Sequence, residues 1–103
     1  MIIALVNFPL PSSMSLAEYK AKMMQTVPRY REMPALLRKN YIYDGERHLG
    51  GAVYVFETKA HAEACFSDEF IKRVTAGYGN PEIRYFETPI LIDNQAKTVT
   101  ELA

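Results

Sequence analysis

The chain has 103 residues, enough for one domain spanning 1–103, and its 49% apolar and 23% charged residues are the balance of a folded globular protein. Twelve basic and twelve acidic side chains cancel, so no net field favours nucleic acid or an anionic membrane as a partner. The single cysteine, Cys65, excludes an internal disulfide, and no apolar run approaches a membrane span.

The first residues, MIIALVNFPLP, lack a basic start and a small-residue cleavage site, so they read as a strand rather than a signal peptide, and the expected location is cytoplasmic. That strand runs from Ile2 to Phe8 and stops at Pro9-Leu10-Pro11. Ser15-Leu16-Ala17-Glu18 spells a capping box. Behind it Leu16, Tyr19, Met23, Val27 and Tyr30 recur at three- and four-residue steps, the stripe of a helix. Pro28 should break that helix between Met24 and Tyr30, leaving a short second piece through Arg31. Leu36 to Tyr43 is a second strand, closed by the turn signal Asp44-Gly45, and Gly51 to Glu57 is a third, with Glu46-Arg47-His48 in the loop between them. Helices are expected over Ala60–Phe66 and Asp68–Val74, the latter capped by Ser67 and ended by Gly77-Tyr78-Gly79-Asn80-Pro81. Ile83 to Ile92 is the last strand, bent at Pro89, and the tail from about residue 95 is expected to fray.

The order βαββαβ predicts an α+β, ferredoxin-like fold: a four-stranded antiparallel sheet with the helices on one face. The first and third strands then lie in the centre. Both are apolar on both faces, whereas the edges carry Arg38, Lys39, Asn40, Arg84 and Glu87. Helices cover only one face, so the other is an apolar patch best buried by a second copy, and a homodimer is expected.

The segments LLRKNYIY, GGAVYVFET, FSDEF and PEIRYFETPILIDN, in this order, resemble the YdhR-like mono-oxygenase family of the dimeric α+β-barrel superfamily. Lys39, Gly50-Gly51 and Tyr54-x-Phe56 are the most characteristic points, and the resemblance runs from about residue 2 to 94. It implies the fold, a dimer, and an oxygenase activity by analogy with relatives that oxidise aromatic polyketides without metal or flavin.

No His, Cys and carboxylate residues fall at metal-ligand spacing, and no glycine-rich nucleotide motif occurs, so neither a metal nor another cofactor is expected. His48 and His61 read as solvated, and Cys65 as a small buried hydrophobe. The seven tyrosines are the informative excess. Packing alone selects Phe or Leu, because a buried phenol needs a hydrogen-bond partner. Tyr54, with Tyr19 and Tyr30 on the helix stripe, would suit a flat aromatic ligand; the same excess would suit an interface. Met14, Met23, Met24 and Met33 suit either a soft pocket lining or core filling. Asn7, near the end of a central strand, is a candidate to orient a ligand oxygen or, equally, to bond the adjacent loop. Arg38 and Arg84 are candidates to hold substrate charge or are simply surface arginines of edge strands. The candidate site is therefore Asn7 and Tyr54 as catalytic groups, with Tyr19, Tyr30, Arg38 and Arg84 binding substrate. It would lie in an apolar cavity between sheet and helices. Three functions remain open: a cofactor-independent mono-oxygenase of a small phenolic or quinone-like aromatic, a non-catalytic small-molecule-binding or stress-associated homodimer, and an interaction module for another protein.

Overall fold

The helix boundaries follow the local signals. In the computed structural model, which describes residues 1–102, Ser15 caps helix α1 (Leu16–Met24) with both arms of the capping box formed. The predicted break is present: α1 ends at Met24 and a separate helix α2 spans Val27–Arg31, with Pro28 in its first turn. There the missing proline donor has no intrahelical role, so the ring is accommodated. Thr58 caps α3 (Lys59–Cys65) and Ser67 caps α4 (Asp68–Gly77). No helix among the described residues is long and apolar enough to cross a membrane.

Strands β1 (Ile2–Pro9), β2 (Leu36–Asp44), β3 (Leu49–Phe56) and β4 (Glu82–Glu87) form one sheet in the order β2-β3-β1-β4, antiparallel throughout. The expected ferredoxin-like arrangement is therefore found, with the two apolar strands central. Period-two alternation sends Ala4, Val6 and Phe8 of β1, and Ala52, Tyr54 and Phe56 of β3, under the helices. Tyr19, Tyr30, Ala62, Phe66 and Phe70 close the core from the helical side. Much of it is aromatic. Phe66 meets Tyr54 edge-on at 4.9 Å and Phe70 at 5.0 Å, geometries that the ring quadrupoles favour.

The opposite face carries Ile3, Leu5 and Asn7 from β1, in cross-strand rows with Val55, Val53 and Gly51 of β3 and with Phe86, Arg84 and Glu82 of β4. Among the described residues no helix packs on it.

Two features depart from the sequence reading. The last predicted strand is split at Thr88–Pro89 into β4 and β5 (Ile90–Asp93). The residues beyond Asn94, expected to fray, supply β6 (Thr98–Glu101), which pairs with β5 as a hairpin. The hairpin is a separate two-stranded sheet with Ile90, Ile92 and Val99 exposed on one side. The radius of gyration is 14.6 Å, against roughly 13 Å for a compact domain of this length.

Candidate functional site

The site begins with an irregularity in an edge strand. In β2, Leu36 pairs with Phe56 but Arg38 pairs with Val55, so one extra residue is accommodated between them. Such a bulge reverses the facing of everything after it. Arg38 is turned onto the open face and Lys39 is turned inward, opposite Tyr54.

The Lys39 ammonium nitrogen lies 3.1 Å from the ring centroid of Tyr30, 4.1 Å from that of Tyr41 and 4.5 Å from that of Tyr54. Each ring is held by its own element. Tyr54 is in the sheet centre and 3% exposed. Tyr30 comes down from α2 and meets Tyr54 at 5.8 Å. Tyr41 shares the inner face of β2 with Lys39, and its hydroxyl is 2.5 Å from Thr26 Oγ1. Since the Thr26 hydroxyl donates to the Met23 carbonyl at 2.7 Å, the Tyr41 hydroxyl is the donor in that contact. The break before Pro28 thus has a second use: Thr26, in the gap between helices, orients a site tyrosine.

Among the described residues the Lys39 ammonium makes no ion pair and no hydrogen bond. Burial pulls its pKa from 10.5 down to about 7; the neighbouring Cys65 opposes this, while the positive charges of Arg29 and Arg73 add to it. A fall of that size is worth about 5 kcal/mol against the charged form. The rings favour the ammonium, but a desolvated cation–π contact contributes only about 2 kcal/mol. Desolvation wins, and Lys39 is divided between amine and ammonium near neutral pH. Burial pushes the Tyr54 phenol well above its ordinary range, with the Tyr30 hydroxyl adding to the shift, so Tyr54 stays protonated. Burial also raises Tyr41, partly offset by its bond to Thr26, and pushes the Cys65 thiol up to about 11.

These groups border a cavity of about 340 Å³ between the sheet and α1, α2 and α4, at the small end of ligand pockets. Phe8, Tyr30, Tyr41, Tyr54 and Phe70 wall it, and Lys22, Arg29, Lys39 and Arg73 supply its charge. The cavity stands where the sequence reading places it, but it is not simply apolar, because four basic side chains line it.

Of the candidate residues, the structure brings together Tyr54 and Tyr30. Tyr19 is buried beside them but is a structural tie. Its hydroxyl donates to the Gly51 carbonyl and accepts from the Gly51 amide, both at 2.9 Å, which satisfies it without a ligand. Asn7 lies on the wrong face: alternation that buries Val6 and Phe8 under the helices turns Asn7 to the open side, between Gly51 and Glu82. Arg38 follows it through the bulge. Arg84 pairs with Leu5 on the open face, where it is exposed and lies 3.5 Å from Glu82. None of these three lines the cavity. Lys39 and Tyr41 were missed as site residues, although Lys-x-Tyr on one strand is a legible alternation.

Gly50-Gly51 lies in a strand whose pairing is regular on both sides. Gly51 has φ +141°, and a Cβ there would lie 1.8 Å from the Val6 carbonyl oxygen; one on Gly50 would lie 2.7 Å from the Tyr19 ring. The pair lets Tyr19 reach the strand backbone.

No match was found among curated protein sequences. Solved structures share the fold. They include NE2512, a protein of unknown function from Nitrosomonas europaea (TM-score 0.67, 13% identity, covering 84% of this chain and 87% of that one). SnoaB, a cofactor-independent oxygenase from Streptomyces nogalater, matches with TM-score 0.60 and 15% identity over 84% of this chain and 91% of its own. A protein from Deinococcus radiodurans described as a "putative antibiotic biosynthesis monooxygenase" matches with TM-score 0.67 and 11% identity over 90% of this chain and 97% of that one. Residues 3–96 match the family model described as "Putative mono-oxygenase ydhR", and the chain belongs to that family.

Proposed function

We propose that this protein is a cofactor-independent mono-oxygenase of a small phenolic or quinone-like aromatic, working as a homodimer. The observation that carries the reading is the cavity itself: an amine near neutral pKa, ringed by three tyrosines, in a space that fits two or three fused rings. The family and the oxygenase fold neighbours support it. Neutral Lys39 accepts a proton from an activated C–H or O–H of the substrate, and the resulting ammonium stays beside the enolate it has made. The Tyr54 hydroxyl, held protonated by burial, is a donor to the developing oxyanion. The carbanion then reduces oxygen. For an anthrone-type methylene the balance is R₂CH₂ + O₂ → R₂C=O + H₂O, the substrate carbon losing four electrons and O₂ gaining them.

The test is incubation with anthrones and hydroxylated naphthalenes, with and without oxygen, using ¹⁸O₂ to follow the label. Product carrying one ¹⁸O and formed only aerobically is expected; conversion that proceeds without oxygen would sink the reading.

The homodimer reading rests on the uncovered face, where Ile3, Leu5, Val53, Val55 and Phe86 adjoin, and on the exposed Ile90, Ile92 and Val99 of the hairpin. Sedimentation should give a dimer at micromolar concentration and a monomer for Leu5→Glu. A stable wild-type monomer would refute it.

A further inference from the structure

The chain as a whole is neutral, with twelve basic and twelve acidic side chains. Its cavity is not. Lys22 from α1, Arg29 from α2, Lys39 from β2 and Arg73 from α4 all line it, and no Asp or Glu does. Among the described residues none of the four makes an ion pair; the two pairs present, Arg47 with Asp44 and Arg84 with Glu82, lie elsewhere. Three exposed cations, Lys22, Arg29 and Arg73, open onto one concave space from three helices, and Lys39, charged only part of the time near neutral pH, stands deeper in it. Arg29 and Arg73 both disfavour the charged form of Lys39. An anion entering the cavity meets these cations and, among the described residues, no lining carboxylate.

We infer that the ligand of this cavity is an aromatic carboxylate, its rings between Tyr30, Tyr41, Tyr54 and Phe70 and its carboxylate met by Arg29 and Arg73. This deepens the proposed function, on which it rests for the aromatic character of the ligand. The guanidinium fork matches the two oxygens of a carboxylate, which a lysine meets only as a point charge. Arg73 is partly immobilised already, its guanidinium carbon 5.6 Å from the Phe70 ring centroid, on the cavity wall. Lys39, deeper among the rings, is left for a phenolic or enolic oxygen on the same molecule. The preferred substrate is thus a hydroxyaromatic acid.

A matched pair of probes isolates the charge: 3-hydroxy-2-naphthoate and its neutral analogue 3-hydroxy-2-naphthamide. Their dissociation constants are measured by titration calorimetry under nitrogen, so that turnover does not intervene, on the wild type and on the Arg29→Gln/Arg73→Gln double variant. The wild type should prefer the acid by about tenfold or more at low salt, the ratio a charge-assisted contact supplies. In the double variant the ratio of the two constants should collapse to about twofold or less, the acid losing more affinity than the amide. Thermal unfolding without ligand reports whether the double variant is folded; if it is not, single Arg29→Gln and Arg73→Gln variants must each lower the preference. Equal binding of acid and amide by the wild type, no binding of either, or a preference that survives the substitutions would overturn the inference. Acid preference without any oxygen-dependent product would leave the inference standing and remove the oxygenase reading, so the two fail separately.

Discussion

Replacing Lys39 by Met keeps an unbranched side chain of similar length and removes the charge, and the consequence for stability can be worked from the site. In the unfolded chain Lys39 holds its proton up to about pH 10.5, and in the folded protein only to about 7. Between those values the unfolded chain binds more protons than the folded one, so stability rises with pH across that window. Integrated from pH 7 to 9, this one group contributes about 2 kcal/mol of added stability. Below pH 7 both states are protonated and the full cost of the buried ammonium is present. There the variant should be more stable than the wild type by up to about 5 kcal/mol, the free energy of the fall from 10.5 to about 7. The groups facing Lys39 are the cations Arg29 and Arg73, the phenols of Tyr30, Tyr41 and Tyr54, and the Cys65 thiol. Cys65 has a folded pKa of about 11 against 9.0, which gives a slope of opposite sign above pH 9. It is common to both proteins and cancels in the difference to first order. Urea unfolding of wild type and Lys39→Met at pH 6, 7, 8 and 9 measures it. Parallel stability curves would refute the argument, since they would mean that the ammonium is solvated or paired in the folded protein.

Tyr54→Phe removes one hydroxyl and almost no volume. Turnover or ligand affinity should fall while urea stability moves by less than about 1 kcal/mol, and a loss of about 3 kcal/mol would make Tyr54 a structural residue. Gly51→Ala should cost more than about 3 kcal/mol, or prevent folding, because the new methyl meets the Val6 carbonyl and the residue is held at φ +141°. Gly77→Ala is the control. Nothing lies within 4 Å of its Cβ position at the end of α4, so the same substitution should stabilise by about 0.5–1 kcal/mol in the same assay.

What the sequence by itself determined is local. Ser15 and Glu18 start α1, Pro28 divides the helical stripe, Ser67 starts α4, and Asp44-Gly45 turns the hairpin, because each signal acts within four residues of itself. The strand order was legible as well, since only β1 and β3 are apolar on both faces and central strands need that. What only the tertiary structure decided is which face of each strand meets the helices. In β1 both faces are apolar, so the pattern carries no phase, and Asn7 went to the open side because Val6 and Phe8 took the core. In β2 one extra residue between Leu36 and Arg38 exchanged Arg38 for Lys39. A strand repeats every two residues, so a one-residue slip in pairing moves a charge from the surface to the centre of the site, and pairing is set by the neighbouring strand.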